Sequence, residues 1–151
     1  MIVIMDVLHI KHKVALMILY DSEKRFLLQC RTDDAKYLPG YWALFGGRIE
    51  EGETPEQAVR REIFEELHYM VKSPMLFIER AYVVDDVNGY MYVFIEEFHG
   101  EKRNLRLNEG KDFGWYGIEQ MHGLKMLNHD RELFKLADMY IRSVEEKGVD
   151  R

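Results

Sequence analysis

Apolar residues run from Val14 to Tyr20 and, after the polar stretch Asp21-Ser22-Glu23-Lys24, again through Arg25–Arg31. Two β-rich runs around a polar turn predict a hairpin. The next segment, Thr32 to Tyr41, is polar and carries Pro39-Gly40, which marks a loop. Trp42-Ala43-Leu44-Phe45 reads as a short strand ending at Gly46-Gly47. From Thr54 the apolar period becomes helical and predicts a helix from Pro55 to about Leu67. Thr54 is placed as its N-cap, Pro55 suits the first helical position, and Gln57 completes a capping box. Met75–Val84 and Tyr90–Phe98 follow as two strands, with Asn88-Gly89 in the intervening segment signalling a hairpin turn. After a basic, polar loop (His99 to Leu107), Phe113–Tyr116 makes a further strand. An amphipathic helix from about His129 to Glu146 carries Leu133, Leu136, Ala137, Tyr140, Ile141 and Val144 on one stripe. No internal repeat or linker interrupts this order. Strands, helix, strands, helix predict an α+β fold, an α/β/α sandwich around a mixed β-sheet, in a single domain over residues 1–151.

Composition narrows the setting. A chain of 151 residues with 47% apolar residues can bury a core without staples. The lone cysteine, Cys30, forms no internal disulfide and asks for no oxidising compartment. The first thirteen residues are apolar but broken by Asp6, and lack the cleavage site of a secretory signal. The longest apolar run is far below membrane-spanning length. A soluble cytoplasmic protein, monomer or homodimer, is the expectation. His9 and His12 are spaced for one helix face, yet no further ligand completes a zinc set. A surface or strand-edge role is expected for that pair.

Charge then points to a place. The net charge of -6 excludes a general nucleic-acid or anionic-membrane binder. Residues 48–69 hold seven glutamates against three arginines, so four of the six excess negative charges fall in this one segment. On a helical wheel Glu62, Glu65 and Glu66 share one arc, beside the Val59–Ile63–Leu67 core stripe. Like charges at these spacings oppose the helix, and only Arg61 is at hand to relieve them. A solvated helix face would alternate its signs with lysine, but residues 37–71 contain no lysine. A carboxylate cluster of this kind suits a divalent cation, and oxygen ligands select Mg²⁺, Mn²⁺ or Ca²⁺. Gly46-Gly47 just upstream would let a backbone carbonyl approach a metal or phosphate. Phosphate chemistry with a glutamate as general base is the reaction class implied.

The segment GRIEEGETPEQAVRREIFEELHY resembles the signature of the Nudix hydrolase family. Gly47, Glu53, Arg61, Glu62, Ile63, Glu65 and Glu66 stand at the signature's spacing, matching seven of nine specified positions. PGYWALFGG before the box and Glu109-Gly110 and Trp115 after it extend the likeness from Val14 to the last helix. The resemblance implies an α/β/α Nudix sandwich hydrolysing a nucleoside diphosphate linked to another group. It assigns Glu65, Glu66 and the carbonyl of Gly46 or Gly47 to a metal, Mg²⁺ or Mn²⁺. Glu62 becomes a ligand or the general base, Glu53 an outer or additional metal carboxylate, and Arg61 the residue orienting the glutamates. Glu109 resembles the distal glutamate of many members, a further ligand or base. Arg31 matches a phosphate-meeting basic position, and Trp42 is among the aromatics available to stack a base. His68 and Tyr69 replace the signature's Gly and aliphatic residue, which implies a different helix end and unaltered chemistry.

Substrate classes remain open at this level. Val84, Asp85 and Asp86 stand where an ADP-ribose type often carries Pro, and Val87 and Asn88 do not fit the Tyr of a dinucleoside polyphosphate type. GETPEQAV resembles nucleotide-sanitising members, favouring a nucleoside triphosphate, oxidised or not, converted to monophosphate and pyrophosphate. A nucleotide sugar of the GDP-mannose type is the alternative. A nucleotide-sensing domain would lose box glutamates that are all present here. An isoprenoid diphosphate isomerase would need Cys30 at the site.

Overall fold

The computed structural model describes residues 10–84 and 86–149. The stretch with Asp6 and His9, and Asp85 of the predicted turn, lie outside the described residues. Among the described residues seven strands form one mixed sheet. They are β1 (His12–Tyr20), β2 (Phe26–Cys30), β3 (Trp42–Ala43), β4 (Phe45–Arg48), β5 (Met75–Val84), β6 (Val87–Glu97) and β7 (Asp112–Tyr116). The helices are α1 (Pro55–Leu67) and α2 (Asn128–Val149). β1 is the axis of the sheet. It pairs in parallel with β6 from His12↔Gly89 to Tyr20↔Glu97, and antiparallel with β4 from Val14↔Arg48 to Met17↔Phe45. Its end turns into β2 at Tyr20↔Phe26, and β2 in turn carries β3 and β7.

Alternation along β1 and β6 divides the core into two layers, as a period of two requires. Ala15, Met17, Leu19 and Phe94 face Val59, Ile63 and Leu67 of α1. Ile18, Met91, Val93 and Ile95 face Leu133, Phe134, Ala137 and Ile141 of α2. The expected α/β/α sandwich is the fold. α1 starts with the predicted capping box: the Thr54 hydroxyl accepts from the Gln57 N–H, and the Gln57 side-chain Oε1 accepts from the Thr54 N–H. It ends at His68 in the left-handed region (φ 57), whose N–H donates to the Phe64 carbonyl. Tyr69, the other departure from the signature, is buried and donates its hydroxyl to Glu96 at 2.7 Å. Burial, then this carboxylate, pushes the Tyr69 hydroxyl pKa up. Glu96 also accepts from the N–H groups of Lys72 and Ser73, so its burial leaves no lone carboxylate.

Three sequence expectations are corrected. The β5–β6 pairing runs on to Val84↔Val87, so Asn88 and Gly89 pair inside the sheet with Val83 and Tyr82. Gly89 serves space rather than a turn: a Cβ there would overlap the Tyr82 ring, whose hydroxyl reaches His12 Nδ1 at 2.6 Å. His12 accordingly sits on a strand, not a helix face. Second, the Trp42–Phe45 run breaks at Leu44, and β4 continues through both glycines because β1 hydrogen-bonds to them. Third, the buried stripe of α2 includes Phe134, whereas Leu136 and Val144 are 37% and 50% exposed. The helix is rolled toward Phe134, whose ring packs on Phe26 at 5.3 Å between centroids.

This roll has a measurable consequence. Phe134→Ala should lower unfolding stability by about 3–5 kcal/mol, the cost of an aromatic cavity. Leu136→Ala should change it by no more than about 0.5–1 kcal/mol. Chemical denaturation of both variants checks the contrast.

Candidate active site

Three segments come together: the glycines of β4, the last two turns of α1, and the loop 106–111. The loop docks on the helix end, with the Arg106 N–H on the Leu67 carbonyl (3.1 Å) and the Asn108 N–H on the Glu66 carbonyl (2.9 Å). These bonds satisfy carbonyls that a helix terminus leaves free. The Lys111 N–H donates to the Cys30 carbonyl at 2.8 Å, tying the loop to β2 as well. Glu109 is thereby carried to α1 from 43 residues beyond Glu66 in sequence. Between these parts lies an open cleft of about 580 Å³, lined by Arg31, Gly46, Glu62, Glu66 and Glu109, with Gln29, Thr32, Ala35, Asn108 and Gly110.

Arg61 organises one wall. Its Nε and Nη2 form a fork on Glu53 at 2.7 and 2.9 Å, and Nη1 donates to Glu62 at 2.8 Å. Nη2 also donates to the Arg48 carbonyl at 3.0 Å, linking α1 to the end of β4. The fork, with the Glu50 N–H, holds the Glu53 carboxyl down to about 2. Pairing with Glu53 raises the Arg61 pKa, outweighing burial, and Glu62 raises it further. Glu65 meets Arg61 only at 3.4 Å, is 56% exposed, and is not among the residues lining the cleft.

Glu66 has a different environment. Its bond to the backbone is long, 3.4 Å from the Gly46 N–H. Burial first, then repulsion from Glu62, pushes its carboxyl up to about 8, with Glu109 adding to the shift. The Gly47 position has no room for a side chain, since a Cβ would lie 2.5 Å from the Glu62 carboxyl carbon. Gly46 has φ 141 and its missing Cβ faces the β1 backbone. Among the described residues no three acidic, histidine or cysteine side chains are gathered into a ready-made cation site. The donor set nonetheless fits a hard divalent ion: Glu62, Glu66 and Glu109 open into one cleft beside side-chain-free backbone, and Glu66 lacks a cationic partner.

Arg31 lines the cleft with its Nε engaged on the Tyr37 carbonyl at 2.8 Å. Trp42 is placed elsewhere. It packs with the α2-side cluster and edge-on to Tyr116 at 5.2 Å, because hydrophobic burial between β3 and Met126 claims its ring. Gln29, Thr32 and Asn108 were not singled out by sequence. Gln29 carried the one available signal, a polar side chain within the apolar run Phe26–Cys30.

Residues 10–137 match the model of the NUDIX domain family. The chain belongs to this family. Over 113 residues it is 32% identical to the nucleoside triphosphatase NudI of Escherichia coli O139:H28, covering 68% of this chain and 80% of that one. The MutT protein from Methanosarcina mazei superposes with a TM-score of 0.72 at 20% identity, covering 85% of this chain and 94% of its own. The E. coli dihydroneopterin triphosphate pyrophosphohydrolase gives 0.72 at 19% identity, covering 85% and 95%. These two structures share the fold. The protein is a Nudix hydrolase, an enzyme of nucleotide diphosphate linkages, and among its described residues no helix is long and apolar enough to cross a membrane.

Two outcomes follow from this geometry. Glu66 binds its proton more tightly when folded, so stability is full below the ordinary value of 4.5 and falls as pH rises toward about 8. Thermal denaturation of chelator-treated protein should show this slope, and Glu66→Gln should flatten it. Gly47→Ala should displace the Glu62 carboxyl and cut hydrolysis at least about tenfold. Circular dichroism should meanwhile show an unchanged secondary structure.

Proposed function

We propose that this Nudix hydrolase is a Mg²⁺-dependent pyrophosphohydrolase of nucleoside triphosphates, releasing monophosphate and pyrophosphate. One observation carries the reading: Glu62, Glu66 and Glu109 share a cleft with Arg31, so a cation site and a phosphate cation face the same space. The likeness to a protein named a nucleoside triphosphatase supports the substrate class.

Glu66 and Glu109, with the carbonyl of Gly46 or Gly47, would hold the metal. Glu65 would join after leaving Arg61, a contact long and exposed enough to exchange. Mn²⁺ would satisfy the same oxygen donors. When bound, the cation neutralises phosphate oxygens and lowers the pKa of a water. Glu62 is a ligand or the base that takes the proton of the attacking water. Arg61 holds Glu62 and Glu53 in place, with Glu53 as the outer carboxylate that sets the guanidinium's orientation. Arg31 keeps its Nε on Tyr37 and presents its remaining guanidinium donors to substrate phosphate. Water adds to one phosphorus of the α–β bridge, the bridging P–O bond breaks, and the proton passes to the base.

A phosphate-release screen over nucleoside triphosphates, nucleotide sugars and dinucleoside polyphosphates, with and without Mg²⁺, tests the reading. Triphosphates should be turned over best, and only with the cation. Glu66→Gln or Glu65→Gln should lower that turnover roughly 100-fold or more, with the fold intact. Normal turnover in either variant would remove that residue from the metal set. A preference for nucleotide sugars would replace the substrate.

A further inference from the structure

We infer that Asp33 and Lys111 form a charge clasp beside the cleft, opened when a polyphosphate draws Lys111 away from Asp33. The inference rests on reading the cleft as the phosphate site, and it names what the clasp selects: the number of phosphate charges.

The two side chains come from two segments that contribute to the lining. Asp33 lies between Thr32 and Ala35, and Lys111 directly follows Glu109 and Gly110. Lys111 Nζ is 3.2 Å from both carboxylate oxygens of Asp33. Their backbones are anchored independently of this contact. The Lys111 N–H is fixed on the Cys30 carbonyl at 2.8 Å, and the Ala35 N–H on the Thr32 carbonyl at 3.2 Å. Arg31 Nε holds the far end of the Asp33 loop through the Tyr37 carbonyl. Breaking the pair therefore asks only two side chains to move.

Charge decides the direction of exchange. The lining contains three carboxylates and one cation, Arg31, so a polyphosphate entering it is short of positive partners. Lys111 is a cation one residue past the lining residue Gly110. Its bond to Asp33 joins side chains 55% and 76% exposed, a setting in which an ion pair is weak. A phosphate group carries more charge than a carboxylate and accepts strong charge-assisted hydrogen bonds. Asp33 acts as the built-in competitor. It keeps Lys111 from ligands of low charge and yields it to a triphosphate chain. A nucleotide sugar, whose distal phosphate is esterified to a neutral group, gains less from the exchange. Discrimination then arises from a competing contact as much as from an attractive one.

Calorimetric binding of tripolyphosphate and of pyrophosphate, with Mg²⁺ present, tests this in wild type, Lys111→Met, Asp33→Asn and the double variant. Lys111→Met should weaken tripolyphosphate binding about tenfold, the loss of one charge-assisted contact, and pyrophosphate binding by less. Asp33→Asn should tighten tripolyphosphate binding about threefold, and the double variant should match Lys111→Met. KM for a nucleoside triphosphate should move in parallel while kcat stays constant. Unchanged affinity in Lys111→Met overturns the clasp. So does weakened binding in Asp33→Asn, which would mean that the pair only holds the loops together, and so does a wild-type protein that does not bind tripolyphosphate. A wild type that hydrolyses no triphosphate yet shows the full binding pattern overturns the substrate reading and leaves the clasp standing.

Discussion

The guanidinium of Arg61 is the contact on which the acidic edge of this protein depends. Seven glutamates within residues 48–69 would repel one another if left to solvent and helix geometry. One planar fork binds Glu53 through two donors, reaches Glu62 with a third nitrogen, and holds the Arg48 carbonyl. It thereby closes the loop between β4 and α1 and fixes the helix against the strand that carries the glycines. A lysine at this position would supply a point charge without the fork, so the loop and the helix would lose their common partner.

Two buried or half-buried glutamates show how the same side chain is used for opposite ends. Glu96 accepts three donors, from Tyr69, Lys72 and Ser73, and pins the chain after α1 to the sheet. Every strong demand of its charge is met locally, so it is structural. Glu66 has a long bond to the backbone and two carboxylate neighbours, which keep its ionised form unfavourable until positive charge arrives. The substitution of Tyr69 for the signature's aliphatic residue belongs to the first case, since its hydroxyl serves Glu96. The substitution of His68 is absorbed at the helix end, where the residue takes the left-handed conformation itself.

Local signals in the chain were legible where local energetics dominate. The capping box of α1 and the hairpin from β1 to β2 are short-range features, and both occur as read. Asn88-Gly89 misled because its turn propensity was overridden by a long-range demand, the space that Tyr82 needs to reach His12. Leu136 misled because a helical stripe defines a face only to within one position, and the ring of Phe134 set the roll of α2. Trp42 was available to a ligand in sequence but was taken by the apolar layer beneath α2.

The sequence by itself determined the chemistry on hand: a glutamate-rich helix, the arginine that orients it, and the glycines that admit it to the strand. It also determined the layers, because alternation in β1 and β6 sorts apolar residues to two faces. Only the tertiary structure decided which carboxylates meet. Glu109 reaches Glu66 through loop-to-helix hydrogen bonds that no local pattern encodes, and Glu65 turns out to Arg61 although its spacing matches Glu62. The pairing of Asp33 with Lys111 is likewise a product of the fold, joining residues 78 apart. Spacing along a chain fixes what a helix face can present, whereas the charges facing that helix come from wherever the sheet brings its loops.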